Sequence, residues 1–314
     1  MNYYSINGLK LEEINDKNFH ISEFNKQYSY KGDNILYSID NECVSLYDVF
    51  QDEIFPNRHE YYSNIGKIPM WIYHAGLDSD FWLDKDSFQK NVNSINEEEF
   101  HKHLYLADCQ SLISSVQNTI MNTNWNFINF YITLSEVEFH SLGNKNDVIW
   151  TTSGKSALVF STLNNYIISI YSIFDLLTKV AYELENLNDE FSKYPKLRSL
   201  NKLYGDKKKL EKIDFRGTIF EDCITVKTIV NLRNELIHNG SWEQHQKIFH
   251  VIKENELVER FILQPDFTNG NIDKVVNRKR FFSASSKINE ELPFLHIDIL
   301  QRLNNTISKL KKVR

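Results

Sequence analysis

Residues 155–186 read KSALVFSTLNNYIISIYSIFDLLTKVAYELEN, and this stretch decides the fold class. Apolar residues recur three to five positions apart through most of its length, a spacing that keeps them on one face of an α-helix. The opposite face is also largely apolar, which is typical of a helix buried on more than one side. Thr151, Thr152 or Ser153 is expected to form its N-cap. The sequence therefore predicts a mainly α-helical protein built around this helix.

Shorter patterns precede the long helix. Ser94 and Glu97 match a capping box, in which the Ser side chain accepts a hydrogen bond from a backbone N–H and the Glu side chain reaches back. Apolar residues within 100–120 then recur mostly four apart, which predicts a helix. Residues 125–139 are densely apolar and fit either a strand or a buried helix. Segments without a long apolar period, expected to be half-buried pieces, short strands or connectors, are 66–76, 81–84 and 148–150.

Three further elements are predicted after the long helix. A helix is expected from about Ile219 to Asn239. Residues 247–267 have the pattern of two short strands around a polar turn. Pro293 suits the first position of a last helix, where its missing N–H would have no partner in any case. The apolar residues of that helix recur three and four apart, at Leu300, Leu303, Ile307 and Leu310.

Charge is distributed unevenly along the chain. The formal net charge is −6, but residues 1–150 carry 10 Lys and Arg against 22 Asp and Glu, whereas residues 151–314 carry 26 against 20. Such asymmetry fits either different partners for the two halves or acidic and basic faces that aid solubility. We therefore divide the chain into an acidic region, 1–150, of mixed and mostly helical structure, and a helical domain, 151–314.

The composition predicts a soluble cytoplasmic protein. Hydrophobic residues make up 41% of the chain and charged residues 25%, as in ordinary globular domains. The start, MNYYSINGLKLEE, lacks the basic and apolar regions of a secretory signal. The most apolar run, 166–177, is too short to span a bilayer and contains Asp175. The three cysteines have no CxxC spacing, which fits reduced thiols. We expect no membrane association.

The segment with distinctive chemistry is NLRNELIHNG, residues 231–240. Asn234 and His238 are four residues apart and share one face of the predicted helix, and the long side chain of Arg233 reaches the same edge. The Asn-Gly pair that follows is a helix stop signal. A guanidinium, an amide and an imidazole therefore gather at one helix end. A structural alternative stays open, in which His238 complements the helix dipole and Arg233 pairs with Glu235 or a neighbouring acid.

Arg233, four intervening residues and His238, with Asn directly after the Arg, resemble the Arg-x(4–6)-His motif of HEPN domains. The resemblance covers about residues 153–312. It implies a C-terminal HEPN-like helical bundle, in which the motif helix packs on an earlier long helix, here 155–186 with Asp175.

The resemblance implies a metal-independent endoribonuclease without a cofactor. His238 would move protons between the reacting oxygens of RNA and the enzyme, because imidazole suits both directions near neutral pH. Arg233 would hold the phosphate and stabilise the phosphorane, and Asn234 would orient His238 or bind a phosphate oxygen. Asp175 and Asn239 are the supporting residues. The expected products are a 2′,3′-cyclic phosphate and a 5′-hydroxyl.

The family resemblance also implies partners. In many HEPN proteins two subunits bring their motifs into one cleft, so a homodimer that binds RNA is expected. Such proteins commonly act as toxins or in antiviral defence. Some HEPN toxins carry a Tyr that is modified two residues after the His, but this position is Gly240 here, so that control is not expected. The basic residues expected to contact RNA phosphates are Lys207, Lys208, Lys209, Arg278, Lys279 and Arg280.

Two alternatives to an active nuclease are open. Some HEPN domains lack catalysis and bind a nucleotide or a partner protein instead. A toxin of this family would also be silent if an antitoxin were docked on residues 1–150.

Two other patterns fall short of a site. Ser153-Gly154-Lys155-Ser156 resembles the end of a P-loop, but the Gly required five residues before Gly154 is Ile149. His101 and His103 point roughly 200° apart on a helix, so we expect a solvated helix face there and no metal site.

Overall fold

A computed structural model describes residues 1–14, 18–65, 82–95, 97–138 and 146–313. The helices in these ranges are α1 (Asn34–Ile54), α2 (Arg58–Ile65), α3 (Lys85–Ser94), α4 (Glu98–Ser135), α5 (Gly154–Glu185), α6 (Ile224–Asn239) and α7 (Ile288–Leu310), with a 3₁₀ helix at Tyr204–Lys209. The strands are β1 (Asn2–Ser5), β2 (Lys10–Leu11), β3 (His20–Phe24), β4 (Gln27–Tyr30), β5 (Asn146–Thr151), β6 (Ile248–Lys253), β7 (Glu256–Phe261), β8 (Phe267–Thr268) and β9 (Asn271–Ile272). The predicted segment 66–76 and residue 81 lie outside the described residues.

The strands form small antiparallel sheets. One sheet has the order β2-β1-β3-β4, another has the order β5-β6-β7, and β8 pairs with β9. The turn between β6 and β7 holds Glu254 and Asn255 at φ values of 51° and 68°, as a two-residue hairpin of type I′ requires. The predicted strand pair within 247–267 is confirmed, and residues 148–150 lie in β5. The described chain is thus rich in helix but mixed, with several small sheets.

The long helix predicted at 155–186 is confirmed as α5. Ser153 caps it, because its Oγ accepts a hydrogen bond from the backbone N–H of Ser156 at 3.1 Å. The apolar positions Leu163, Ile170 and Leu177 are fully buried. In the part of the chain that the structure describes, α5 is the one helix long and apolar enough to cross a membrane, and half of its most apolar window is buried inside the protein. Core helices of soluble proteins have the same features.

The chain divides into two compact units. Unit 1 comprises Met1–Ile39, Thr119–Ile173 and Phe215–Asn305, and unit 2 comprises Asp40–Asn118, Phe174–Asp214 and Thr306–Arg314. Each unit therefore draws residues from both sides of position 150, the boundary that the charge pattern suggests. Helix α6, which carries the Arg-x(4)-His motif, lies within unit 1.

Unit 1 contains a buried polar centre. The ring of His296 is stacked on Phe127 with centroids 3.9 Å apart. Its Nε2 and Nδ1 lie 2.8 Å and 3.0 Å from the hydroxyls of Tyr30 and Tyr166. Burial lowers the pKa of His296 to about 3, because removing an imidazolium from water is costly. His296 is therefore a neutral core residue that fixes two tyrosines.

Unit 2 has a buried carboxylate in its core. Glu183, in α5, is fully buried and accepts hydrogen bonds from the backbone N–H groups of Arg198 at 3.2 Å and Ser199 at 2.7 Å. The hydroxyl of Tyr105, in α4, donates to the same carboxylate. These bonds attach the loop after α5 to two helices.

Two predicted helix starts are wrong for local reasons. Ser94 is the last residue of α3, and its hydroxyl donates to the carbonyl of Asn91 at 2.8 Å, so the predicted capping box does not form. Helix α6 begins at Ile224 and not at Ile219, because a turn at Gly217, with φ of 72°, occupies the preceding segment. In the apolar segment 125–139, which fitted either a strand or a helix, residues 125–135 continue α4 to its end at Ser135, and residue 139 lies outside the described residues.

Pro293 does not begin the last helix, which starts five residues earlier at Ile288. A proline inside a helix leaves the carbonyl four residues before it without an intrahelical partner. That carbonyl belongs to Asn289, and it accepts a hydrogen bond from the hydroxyl of Tyr131 at 2.7 Å. A side chain distant in sequence thus satisfies the group that Pro293 leaves free.

Candidate functional site

The motif occupies the last two turns of α6. Leu232 and Leu236 are buried and anchor this end of the helix. The helical period then leaves Asn234 half-buried and His238 exposed. Gly240, with φ of 82°, follows the last helical residue and provides a backbone conformation that favours glycine. The predicted helix stop is confirmed.

Arg233 is a half-buried cation with neutral neighbours. Its Nη1 donates to Oδ1 of Asn234 at 3.1 Å, and its guanidinium carbon lies 4.5 Å from the ring centroid of Tyr171 in α5. Among the described residues, no carboxylate forms an ion pair with Arg233. The structural alternative, in which Arg233 pairs with Glu235 or a neighbouring acid, is therefore not seen there, and Glu235 is paired with Arg280 instead.

His238 lies at the surface, one turn after Asn234. In the described part of the chain its imidazole has no side-chain hydrogen bond. The imidazole is thus accessible to a substrate. Arg233 and Asn234 are hydrogen-bonded to each other. His238 lies one turn further along the helix and has no hydrogen bond to either of these side chains in the described part of the chain.

Glu235 joins the end of α6 to the segment before α7. Its side chain is only 4% exposed, and its Oε1 accepts a hydrogen bond from Nε of Arg280 at 2.7 Å. Its Oε2 accepts a bond from Nδ2 of Asn239 at 2.7 Å. A second nitrogen of Arg280 lies 3.4 Å from the carbonyl of Asn239. Two predicted site residues, Asn239 and Arg280, therefore hold the helix terminus through a carboxylate.

A cleft of about 740 Å³ opens beside this helix terminus, within unit 1. Glu235 and Asn239 form part of its wall, together with the aromatic side chains Phe249 and Phe282. Its basic lining residues are Lys247, Arg278, Lys279 and Arg280. Arg280 is paired with Glu235, so the other cations of the lining are Lys247, Arg278 and Lys279. With the negative charge of Glu243 counted against these three, the formal charge of the lining is still positive.

The basic segment before α7 brings two predicted RNA contacts to the cleft. Arg278 and Lys279 are exposed. The guanidinium of Arg278 lies 5.4 Å from the ring centroid of Phe281. Arg280, in contrast, is occupied by Glu235. The structure thus places Arg278 and Lys279 where a polyanion can reach them and gives Arg280 a structural partner.

Asp175 and the lysine run lie in unit 2. The carboxylate of Asp175 accepts a hydrogen bond from the backbone N–H of Tyr204 at 2.7 Å, which attaches the 3₁₀ helix to α5. Lys207 donates to the hydroxyl of Tyr204 at 2.9 Å, and Lys209 pairs with Asp206 at 2.7 Å. Local contacts therefore involve most of these side chains, and Lys208 is exposed.

Sequence reasoning missed the roles of three residues of the site. Tyr171 stacks on the guanidinium of Arg233, but no local pattern in α5 distinguishes this tyrosine from a core aromatic. Glu235 lies inside the motif, yet its partner Arg280 is 45 residues away. Lys247 precedes β6, and only the hairpin topology turns it toward the cleft. The one available signal was the basic run that contains Arg280.

Metal-binding features are lacking in the described ranges. No group of three or more His, Cys, Asp or Glu side chains there is arranged to hold a metal ion. The expectation of a solvated face at His101 and His103 is wrong, because both side chains are buried. Nδ1 of His101 lies 3.0 Å from the carbonyl of Phe191, and His103 packs 4.5 Å from Phe55 between ring centroids.

No protein-family model matches this chain, and no curated protein and no solved structure matches it either.

Proposed function

We propose that the chain is a metal-independent endoribonuclease whose C-terminal part is a HEPN-like helical bundle. The observation that carries this proposal is the pairing of Arg233 with neutral groups only, within the described residues, next to the exposed imidazole of His238. A half-buried guanidinium without a counter-ion favours an anionic ligand, because a bound phosphate compensates its lost hydration. Proton transfer and phosphate binding are the two functions that RNA cleavage requires.

The proposed reaction is an internal transesterification. The 2′-oxygen of the substrate bonds to phosphorus as its proton passes to a base, and the bond from phosphorus to the 5′-oxygen breaks as that oxygen receives a proton from an acid. His238 is the base, and His238 of the partner subunit is the acid. Arg233 stabilises the charge that develops on the phosphorane. Asn234 fixes the guanidinium, as its 3.1 Å contact suggests.

The same proposal includes a cytoplasmic homodimer that acts as a toxin or in antiviral defence. Two motifs in one cleft would supply the base and the acid from identical residues. The exposed position of His238 at a helix end supports such pairing, because a buried imidazole could not meet its copy. DNA, which lacks the 2′-hydroxyl, would not be cleaved by this route.

The test is cleavage of total RNA in the presence of EDTA by the wild type and by His238→Ala. We expect the variant to be slower by about 10²- to 10⁴-fold, the usual contribution of a general acid or base. His59→Ala is the matched control, since His59 is also an exposed helical histidine. Analysis of the ends should give 2′,3′-cyclic phosphates and 5′-hydroxyls.

The outcomes separate the competing functions. Loss of cleavage in His238→Ala alone supports the nuclease. Equal cleavage by all three proteins would indicate a contaminant and exclude a role for His238. If no protein cleaves RNA, a non-catalytic module that binds a nucleotide or a protein, or a toxin that needs release from an antitoxin, becomes the better explanation.

A further inference from the structure

The sheet β5-β6-β7 presents aromatic side chains next to the cleft. Trp150 in β5 is directly opposite Phe249 in β6, and opposite residues of antiparallel strands lie on the same face. Phe249 lines the cleft and stacks on Phe261 in β7, with ring centroids 5.1 Å apart and planes inclined by 12°. Trp150 is 55% exposed. A broad indole therefore lies at one end of an aromatic row whose middle member, Phe249, lines the cleft.

A lysine connects the indole to the basic side of the cleft. The ammonium of Lys247 lies 5.4 Å from the ring centroid of Trp150, and Lys247 also lines the cleft with Arg278 and Lys279. We call Trp150, Lys247, Phe249, Arg278 and Lys279 the Trp150 surface. All five residues belong to unit 1.

We infer that the Trp150 surface binds single-stranded RNA. Trp150 stacks on one base, while Lys247, Arg278 and Lys279 contact the phosphates that continue toward the end of α6. Exposed aromatic rings on a sheet face, with cations that follow the backbone, are the features that bind unpaired nucleotides. The inference rests on the proposed function only in that the bound strand would lead to His238.

The arrangement distinguishes among polyanions. A duplex keeps its bases stacked on one another and cannot offer a free base to Trp150. An acidic peptide would satisfy the three cations, but its carboxylate side chains have no aromatic face to place on the indole. The pairing of Arg280 with Glu235 also matters, because it keeps a carboxylate of the cleft wall from repelling phosphates.

The experiment measures binding of a fluorescein-labelled 2′-O-methyl oligouridine, which has no free 2′-hydroxyl and cannot be cleaved by the proposed route. We expect Trp150→Ala to weaken its binding roughly tenfold or more, the usual effect of removing one stacked base contact, while Trp150→Phe keeps most of the affinity. Trp82→Ala is the control, since Trp82 is 92% exposed. Circular dichroism establishes that the variants are folded.

Salt dependence identifies the phosphate contacts separately. Log affinity decreases as log salt increases, and the magnitude of this negative slope is expected to fall by about 0.7 in Lys279→Gln and in Lys247→Gln, as for the loss of one phosphate contact on a single strand. Trp150→Ala should lower the affinity without changing this slope. Lys85→Gln, a change at an exposed lysine of α3, should alter neither quantity.

Three results would overturn the inference. These are an affinity for the duplex with oligoadenosine equal to that for the single strand, equally tight binding of oligoglutamate, or unchanged binding by Trp150→Ala. Because the probe is not cleaved, failure of His238→Ala to affect the nuclease assay would leave this binding result intact, and the two proposals can fail independently.

Discussion

Glu235 and Arg280 illustrate how one contact determines the shape of the candidate site. Glu235 is almost fully buried, and the side chain of Arg280 is 23% exposed. A carboxylate removed from water is costly unless it is paired and hydrogen-bonded. Here a guanidinium and the amide of Asn239 satisfy it. The pair therefore fixes both the last turn of the motif helix and the segment that carries Arg278 and Lys279 to the cleft.

This contact predicts a stability effect that needs no assumption about function. Glu235→Ala is expected to lower the free energy of unfolding by about 3 kcal/mol, because it leaves the guanidinium of Arg280 unpaired. Arg280→Ala should have a similar effect, and the double variant should lose less than the sum of the two single losses. Urea denaturation measures all three. Arg58→Ala is the control, since its pair with Asp52 is exposed and should contribute less than about 1 kcal/mol. Additive losses would contradict the coupling.

The site could be predicted from sequence only where its geometry is local. The four-residue spacing of Asn234 and His238 and the stop at Gly240 follow from helix geometry, and the structure confirms the helix and its end. The cation–π contact of Arg233 with Tyr171 joins two helices 62 positions apart in the chain. No periodicity contains that information, because it depends on how α5 and α6 pack.

The β8–β9 hairpin also holds the first half of helix α6. Gly270, in the turn of this hairpin, has φ of 80°, and a Cβ there would lie 2.6 Å from the carbonyl oxygen of Ile224. The carbonyl of Gly270 accepts a hydrogen bond from Nδ2 of Asn231 at 3.0 Å. The backbone of the hairpin thus approaches the helix more closely than any residue with a side chain allows.

Gly270→Ala is therefore expected to destabilise the protein more than an ordinary glycine substitution. Gly217→Ala is the matched comparison, because Gly217 has φ of 72° but its nearest neighbour would be 3.6 Å from the new Cβ. We expect Gly217→Ala to cost about 1–2 kcal/mol for the left-handed backbone. Gly270→Ala should cost at least about 1 kcal/mol more, because of the collision. Thermal unfolding of both variants tests this. Equal decreases in Tm would mean that the hairpin moves away from the new Cβ without a cost in stability.

The elements that sequence patterns predicted are those whose signals are short-range. The apolar period of α5, its Ser153 cap and the β6–β7 hairpin are encoded within a few residues of one another. The start of α7 is not, because Pro293 is tolerated inside the helix only through a bond from Tyr131 to Asn289 across 158 positions. Long-range partners of this kind have no signature in a single sequence.

The residues predicted for the functional site lie partly in unit 1 and partly in unit 2. Unit 1 contains the motif helix, the cleft and the Trp150 surface, whereas unit 2 contains Asp175 and the lysines of the 3₁₀ helix. The local contacts of Asp175 and Lys209 account for their positions without a substrate. The candidate site is therefore best tested through unit 1.

Three buried histidines make the chain as a whole sensitive to mild acid. Burial lowers the pKa of His296 to about 3. Burial, with a smaller effect of Arg260, lowers the pKa of His250 to about 4, and burial, with a smaller effect of Lys102, lowers that of His103 to about 4. In the unfolded chain these imidazoles take up protons near pH 6.5. The unfolded state thus binds more protons below that pH, and the stability that is complete above it is lost as the pH falls.

We expect the free energy of unfolding to decrease by about 1.4 kcal/mol per pH unit for each of these histidines between about pH 6 and pH 4.5. Ordinary carboxylates titrate mainly below this window, so the histidines dominate within it. His103→Phe is the informative variant, because Nε2 of His103 has no hydrogen-bond partner in the described part of the chain and its ring packs among Phe55 and Tyr61. The variant should be at least as stable as the wild type at neutral pH, since an apolar ring replaces an unsatisfied polar one. Urea titrations across this window give the slope of the free energy of unfolding against pH. In His103→Phe this slope should be smaller by the equivalent of about one bound proton. An unchanged slope would show that His103 already titrates normally in the folded protein.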